Sequence, residues 1–165
     1  MTKLFTAIRA LIVSSGFVGL WTWVALGVRR RYDPILNFVF PGWVEISGTL
    51  LIVMGGALAL TCIGSFVVKG DGTPAPFDAP RKFVAVGPYR YVRNPMYVGA
   101  FFVILGFGFF VNSLAVLIFG LPWLLLAHIF VLIYEEPVLR KRFGAEYDEY
   151  CKKVNRWIPR SPSSN

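Results

Sequence analysis

Four long apolar stretches constrain the fold of this 165-residue chain more than any other feature. A helix needs about 20 residues to cross a hydrocarbon core of about 30 Å, and backbone groups in lipid must bond within their own segment. Each stretch therefore predicts a membrane helix, although the third is short for a full crossing. The stretches cover residues 4–28, 43–68, 96–111 and 114–134. Hydrophobic residues make up 56% of the chain, which favours an integral membrane protein over a soluble domain.

We predict an all-α integral membrane protein with about four transmembrane helices. Asn112 and Ser113 separate the last two apolar stretches and predict the turn of a tight hairpin. The two cysteines give no sign of a disulfide or a metal site, because Cys62 lies in an apolar stretch and Cys151 in a charged tail.

The basic residues predict the orientation of these helices. The net charge is +8, and 17 Lys and Arg residues all lie on one side of the predicted membrane except Arg29, Arg30 and Arg31. The positive-inside rule then places the N-terminus, the loop after the second helix and the C-terminus in the cytoplasm. We expect this membrane to be a bacterial inner membrane. Basic residues that flank lipid-facing helices favour lipid headgroups as partners over nucleic acid.

The loop from Lys69 to Pro95 holds the first group of candidate functional residues. Its start, "GDGTP" at 70–74, has Gly70 and Gly72, which allow a ligand to approach the backbone closely. Taken alone, this pair is explained more simply by a helix cap and a turn.

The end of the same loop, "GPYRYVRNPMY" at 87–97, is polar and rigid although a membrane helix follows it. Arg90 and Arg93 can hold a carboxylate or a phosphate, and three tyrosines offer aromatic faces. Pro95 suits the first turn of the next helix, with Asn94 in the N-cap position. The same residues could instead anchor the helix among lipid headgroups, and composition does not decide between these two interpretations. The tyrosines are Tyr89, Tyr91 and Tyr97.

Glu135 and Glu136 end the fourth apolar stretch and form the second group of candidates. A carboxylate at a membrane boundary is costly unless it has a partner, so this pair suggests a function. Arg140 lies one turn later and is predicted to pair with Glu136. An ordinary interfacial ion pair is the alternative.

The tail after these glutamates predicts a charged helix with one aromatic face. Phe143, Tyr147, Tyr150 and Val154 recur at helical spacing. We expect this helix to lie against the membrane or to fold back over the loop. His128, alone on an apolar helix, is interpreted as a hydrogen-bonded packing residue.

The order and spacing of these motifs resemble the isoprenylcysteine carboxyl methyltransferase and phospholipid methyltransferase superfamily of membrane enzymes. The resemblance runs over residues 70–159, through "GDGTP", "GPYRYVRNPMYVG", "EEPVLRKRFGAEYDEY" and "RWIP". It implies S-adenosylmethionine as cofactor, bound without a Rossmann domain between the last membrane helices, the cytoplasmic loop and the C-terminal part. It also implies a single domain, with residues 1–69 as two N-terminal helices, 70–160 as the catalytic region and 161–165 as a disordered tail.

The resemblance also assigns roles to particular residues. Gly70 and Gly72 match a Gly-x-Gly element, and Glu135 with Glu136 match paired glutamates, both linked to cofactor binding. Residues 93–97 match an Arg-His-Pro-x-Tyr segment, with Asn94 where the prenylcysteine enzymes commonly have His. We therefore expect catalytic roles for Glu136 and Arg140. The expected cofactor-binding residues are Gly70, Gly72, Tyr89, Arg90, Arg93, Asn94, Pro95, Tyr97, Glu135 and Glu136.

The implied activity is methyl transfer to a lipophilic acceptor taken from the bilayer. Asn94 weakens the case for a prenylated protein and replaces a His that could serve as a general base, so a phospholipid headgroup amine is the favoured acceptor. The alternatives are the carboxylate of an isoprenylcysteine-like substrate and a small lipophilic thiol. A membrane module that binds lipid or a partner without catalysis is the alternative of another class.

Overall fold

The fold is built from apolar helices that span most of the chain. The computed structural model describes residues 3–70 and 82–159. The helices are α1 (Lys3–Leu36), α2 (Trp43–Ser65), α3 (Pro95–Phe110), α4 (Leu114–Gly120), α5 (Pro122–Phe130), α6 (Glu136–Phe143) and α7 (Ala145–Lys153). π-Helical turns at Phe66–Gly70 and Val131–Glu135 extend α2 and join α5 to α6. A short 3₁₀ turn covers Gly87–Arg90.

Three segments of the described chain are long and apolar enough to cross a membrane. They are Leu11–Leu36, Trp43–Gly70 and Leu114–Phe143. The 16-residue α3 is shorter, about 24 Å at 1.5 Å per residue. The all-α membrane architecture predicted from the sequence is confirmed, whereas the number of four crossings stays a prediction.

Glycines allow α2 and α3 to pack with their backbones in direct contact. Gly48 lies against Gly106, and Gly55 lies against Gly99. A Cβ atom added at Gly55 would come within 2.5 Å of the Gly99 carbonyl oxygen. Helices in lipid associate through such close contacts between small residues, because lipid gives no hydrophobic drive for helices to come together. The pair α2–α3 therefore forms a closely packed unit beside the site.

Polar side chains tie the helix ends together at the Asn112–Ser113 turn. The Asn112 amide accepts a hydrogen bond from the Phe40 N–H at 2.8 Å and donates one to the Phe40 carbonyl at 3.2 Å. Ser113 caps α4 and donates to the Asp33 carboxylate at 2.9 Å. Asn112 has φ of 51°, as expected for a tight turn. The predicted hairpin turn is thus confirmed, and it is linked to the end of α1 as well.

The tail turns back on the loop at Gly144. Instead of the one continuous helix predicted, α6 and α7 meet at Gly144, whose φ of 55° and ψ of −129° favour glycine. Phe83 of the loop packs its ring against Phe143, Tyr147 and Tyr150, with ring centroids 5.4, 5.8 and 5.0 Å away. The predicted aromatic face is present. It packs over the loop, which is one of the two positions expected for it.

Candidate active site

A pocket lies where the end of α2, the loop before α3 and the helices α5–α7 meet. It holds about 870 Å³ of empty space, including its open mouth. Its wall is mostly aromatic and apolar, and its polar groups come from the start of α3 and the start of α6. Such a combination is typical of a small-molecule site. The wall includes Phe66, Tyr89, Arg93, Asn94, Tyr97, Tyr134, Glu135, Glu136, Tyr147 and Tyr150.

Glu136 is the centre of the buried polar network. Its side chain is 5% exposed and accepts hydrogen bonds from Arg93 Nη1 at 3.0 Å and from Arg156 Nε and Nη2 at 2.8 and 3.0 Å. The bond to Glu136 raises the pKa of the Arg156 guanidinium above its usual value. Two arginines on one buried carboxylate offset the cost of its burial, and they connect the start of α3, α6 and the tail.

Glu135 faces a different partner from its neighbour. The Tyr97 hydroxyl donates a hydrogen bond of 2.7 Å to Glu135 Oε2. Glu135 is half-buried, and both arginines of the site bind Glu136 instead, so the Glu135 carboxylate is available to the pocket. A carboxylate beside aromatic rings is an arrangement that can hold a cationic ligand group.

The chain after α7 lies along the start of α3 and forms part of the site. The Arg93 N–H donates to the Asn155 carbonyl at 2.8 Å, and Val92 and Asn155 form a parallel backbone bridge. The Asn94 side chain donates to the Arg156 carbonyl at 3.2 Å. Asn94 precedes α3, as predicted, but its side chain binds the tail and does not cap the helix.

Tyr150 links the tail to the loop from the other side of the pocket. Its hydroxyl donates a hydrogen bond of 2.6 Å to the Tyr89 carbonyl. Burial raises the pKa of the Tyr150 phenol well above its usual range, so the phenol keeps its proton and remains a donor. The Tyr89 ring packs edge-on against Phe66 at 5.3 Å.

Tyr150→Phe is expected to destabilise the protein by about 1–3 kcal/mol, because it leaves the Tyr89 carbonyl without its partner. Thermal unfolding in detergent measures this change. Tyr91→Phe is the matched control, since Tyr91 is 48% exposed and its hydroxyl can reach solvent or headgroups. Equal unfolding midpoints for the two variants would contradict the importance of this bond.

Six of the predicted site residues come together in the pocket wall. They are Tyr89, Arg93, Asn94, Tyr97, Glu135 and Glu136. Gly70 and Pro95 are buried but do not line the pocket. Gly70 ends the π turn after α2, and Pro95 begins α3. Arg90 is exposed at the end of the 3₁₀ turn and lies outside the wall. Gly72 lies outside the described residues.

The predicted pairing of Arg140 with Glu136 is wrong. Arg140 is half exposed and its Nε donates to Asp148 Oδ1 at 3.1 Å, across the corner made by Gly144. The two arginines already bound to Glu136 come from other parts of the chain. Arg140 does not line the pocket, so its catalytic role stays a prediction without a direct contact to support it.

Sequence reasoning missed two residues of the tail. Arg156 makes the bidentate bond to Glu136, and Trp157 donates its indole N–H to His128 Nδ1 at 2.9 Å. Both belong to the "RWIP" motif, and the presence of this motif in the family resemblance was the available signal. His128 makes the packing hydrogen bond that was predicted for it.

Known proteins share parts of this sequence and this fold. The sequence model of the phospholipid methyltransferase family matches residues 43–146. The protein-S-isoprenylcysteine O-methyltransferase of Schizosaccharomyces pombe is 29% identical over 146 residues, which are 81% of this chain and 61% of that protein.

A solved structure of a eukaryotic intramembrane Ras methyltransferase, an isoprenylcysteine carboxyl methyltransferase, has the same fold with a TM-score of 0.58. The match has 22% identity and covers 88% of this chain and 52% of that chain. The chain thus spans between about half and three-fifths of the length of these two relatives.

Proposed function

The chain belongs to the phospholipid methyltransferase family, and from this membership we propose that it transfers a methyl group from S-adenosylmethionine to a lipophilic acceptor at the membrane surface. The observation that carries the proposal is the pocket itself. It combines two carboxylates, one largely buried arginine and aromatic rings at one end of the apolar helices.

The residues of the pocket fit S-adenosylmethionine. Arg93 Nε is buried and has no hydrogen-bond acceptor among the described residues, which suits the carboxylate of the cofactor's amino-acid part. Glu135 and the ring of Tyr97 suit its cationic groups, and the apolar wall suits its adenosine.

S-adenosylmethionine supplies an electrophilic methyl group on a sulfonium, so the protein has to position the acceptor and exclude water. Phe66, Tyr89 and Tyr134 contribute apolar walls that exclude water. Glu136, held by two arginines, is a poor proton acceptor, and it fixes Arg93 at the pocket. This division of tasks differs from the catalytic role expected for Glu136 from the sequence.

We propose the carboxylate of an isoprenylcysteine-like lipid as the acceptor. A carboxylate attacks without losing a proton, so it needs no general base, and the buried carboxylate Glu136 is already neutralised. The names of the two relatives, both isoprenylcysteine methyltransferases, support this acceptor over the phospholipid amine favoured by the sequence.

A phospholipid headgroup amine is the second candidate. Methylation of an amine releases a proton, and Glu135 in the pocket wall could accept it. The description of the matching family model also favours this acceptor.

The chemical stability of the product distinguishes the two acceptors. Purified protein is incubated with radiolabelled S-adenosylmethionine and either a prenylated cysteine with a free carboxylate or vesicles of phosphatidylethanolamine. A methyl ester releases its label in alkali, whereas an N-methyl or S-methyl group keeps it. Alkali-labile label in the prenylated cysteine supports the proposal, alkali-stable label in lipid replaces the acceptor, and no transfer to either rejects the activity.

We also propose that the pocket end of the helices faces the cytoplasm. The concentration of Lys and Arg residues toward this end, with Arg29, Arg30 and Arg31 as exceptions, supports this orientation. Modification of Cys151 by a membrane-impermeant thiol reagent, in sealed vesicles of either orientation, measures it directly.

Tyr97→Phe is expected to weaken the binding of S-adenosylhomocysteine about tenfold, which corresponds to about 1.4 kcal/mol. The substitution removes the donor that orients Glu135 while it keeps the ring. Calorimetry measures the affinity. Tyr32→Phe is the control, because Tyr32 is 51% exposed at the other end of the molecule. Unchanged affinity in Tyr97→Phe would exclude Glu135 as an oriented ligand.

A further inference from the structure

A hydrogen bond between His128 and Trp157 joins the last apolar segment to the tail. The Trp157 indole Nε1 donates to His128 Nδ1 at 2.9 Å, and the two rings lie 6.0 Å apart. The residues are 29 positions apart, so the bond holds two distant segments together. His128 itself is not in the pocket wall.

The chemistry of the two rings determines the direction of this bond. An indole N–H can donate but not accept, so His128 Nδ1 has to be the acceptor. The neutral imidazole then carries its proton on Nε2. A side chain without an acceptor at this position would leave the indole N–H without its partner.

Trp157 reaches the pocket through Tyr97. The two rings meet edge-on with centroids 6.3 Å apart, and the Tyr97 hydroxyl donates to Glu135. The residue before Trp157 is Arg156, which binds Glu136. Contacts therefore connect Trp157 to Glu135 through Tyr97, and its neighbour Arg156 binds Glu136.

The tail has several other fixed points, but they lie before Trp157. Asn155 is bound through its carbonyl and Arg156 through its carbonyl and guanidinium. Within the described residues, the bond to His128 is the last one along the tail for which a donor and an acceptor are identified. It fixes the ring that contacts Tyr97.

We propose that His128 is a positioning residue of the active site. Its Nδ1 holds Trp157 against Tyr97 and thereby sets the orientation of the Tyr97–Glu135 pair. This inference rests on the proposed function, because the pair is proposed to bind the cofactor. His128 acts through these residues and touches neither substrate nor cofactor.

Two substitutions of His128 separate a role in hydrogen bonding from a role in packing. His128→Leu removes the acceptor, and His128→Asn keeps an acceptor oxygen close to the position of Nδ1. We expect the Leu variant to bind S-adenosylhomocysteine about five- to tenfold more weakly, and the Asn variant to recover most of this loss. An Asn variant as weak as the Leu variant would overturn the proposal, as would a Leu variant with unchanged affinity.

Trp157→Phe tests whether the effect passes through the indole. Phenylalanine keeps a ring beside Tyr97 but cannot donate, so His128→Leu should add little to the loss already caused by Trp157→Phe. Additive losses would show that His128 acts by another route and would also overturn the proposal.

Indole fluorescence gives a measurement that does not depend on the cofactor. The difference between the emission of proteins with and without Trp157→Phe isolates the signal of Trp157. Compared with the unaltered protein, this signal should change in His128→Leu and stay the same in His128→Asn. The same signal in the two variants would contradict the bond. If the unaltered protein fails to bind S-adenosylhomocysteine while the signal behaves as expected, the proposed function fails and the His128–Trp157 bond stands, but the positioning role falls with that function.

Discussion

Glu136→Gln is expected to lower the free energy of unfolding by about 3–5 kcal/mol, because it leaves two arginines near a site that no longer carries a negative charge. Arg93 and Arg156 both donate to this carboxylate, and the Arg93 side chain is 12% exposed. An amide keeps the shape of the side chain but cannot neutralise either cation. Equilibrium unfolding in mixed micelles measures the change, and methyl transfer should fall with it.

Glu149→Gln is the matched control for this prediction. Glu149 lies exposed on α7, so losing its charge should change the unfolding free energy by less than about 0.5 kcal/mol. A second variant, Glu136→Gln combined with Arg156→Gln, removes one of the two cations left without a partner. It should be more stable than Glu136→Gln alone, and a further loss of stability would contradict the electrostatic explanation.

Gly55→Val is expected to separate α2 from α3 and to cost about 3 kcal/mol or more, the upper part of the range for overpacking. The added Cβ would meet the Gly99 carbonyl oxygen at 2.5 Å and the Val103 nitrogen at 2.9 Å. These are backbone atoms, so no rotation of a side chain relieves the clash. The end of α2 leads into Phe66 of the pocket wall, so cofactor binding should be lost together with stability.

Gly56→Val provides a control at the adjacent position on the same helix. An added Cβ there has no atom within 4 Å, so the valine side chain would face open space or lipid. Both variants carry the same change in helix propensity, and their difference in unfolding midpoint isolates the contact with α3. Similar midpoints would mean that the close contact of the two helices contributes little.

The helices and part of the site could be predicted from the sequence because their signals are local. Apolar length gave the membrane helices, Asn112–Ser113 gave the hairpin turn, and the Pro95 start of α3 followed from the chemistry of proline. The predicted residues Arg93 and Glu136 do lie together, although they are 43 positions apart. That prediction depended on resemblance to a family, since spacing alone cannot bring such distant residues together.

The partners of these residues could not be predicted by local rules. The spacing of Glu136 and Arg140 suggested a pair within one helix, but Gly144 turns the chain and brings Asp148 to Arg140 instead. Arg156 reaches Glu136 because the tail lies along the start of α3, a path set by backbone bonds such as Arg93 to Asn155. An exposed pair such as Arg140–Asp148 contributes little to stability. Breaking the buried ion pairs of Glu136 is costly, so these pairs keep Arg93 and Arg156 in place.

The position of the tail along the start of α3 sets an order of events during synthesis. Arg156 and Trp157 leave the ribosome after the apolar helices that the structure describes, including both glycine-packed helices. The helices can therefore enter the membrane and pair while the pocket still lacks one wall. A newly made chain should acquire the proposed activity only when its tail docks, after these helices have entered the membrane.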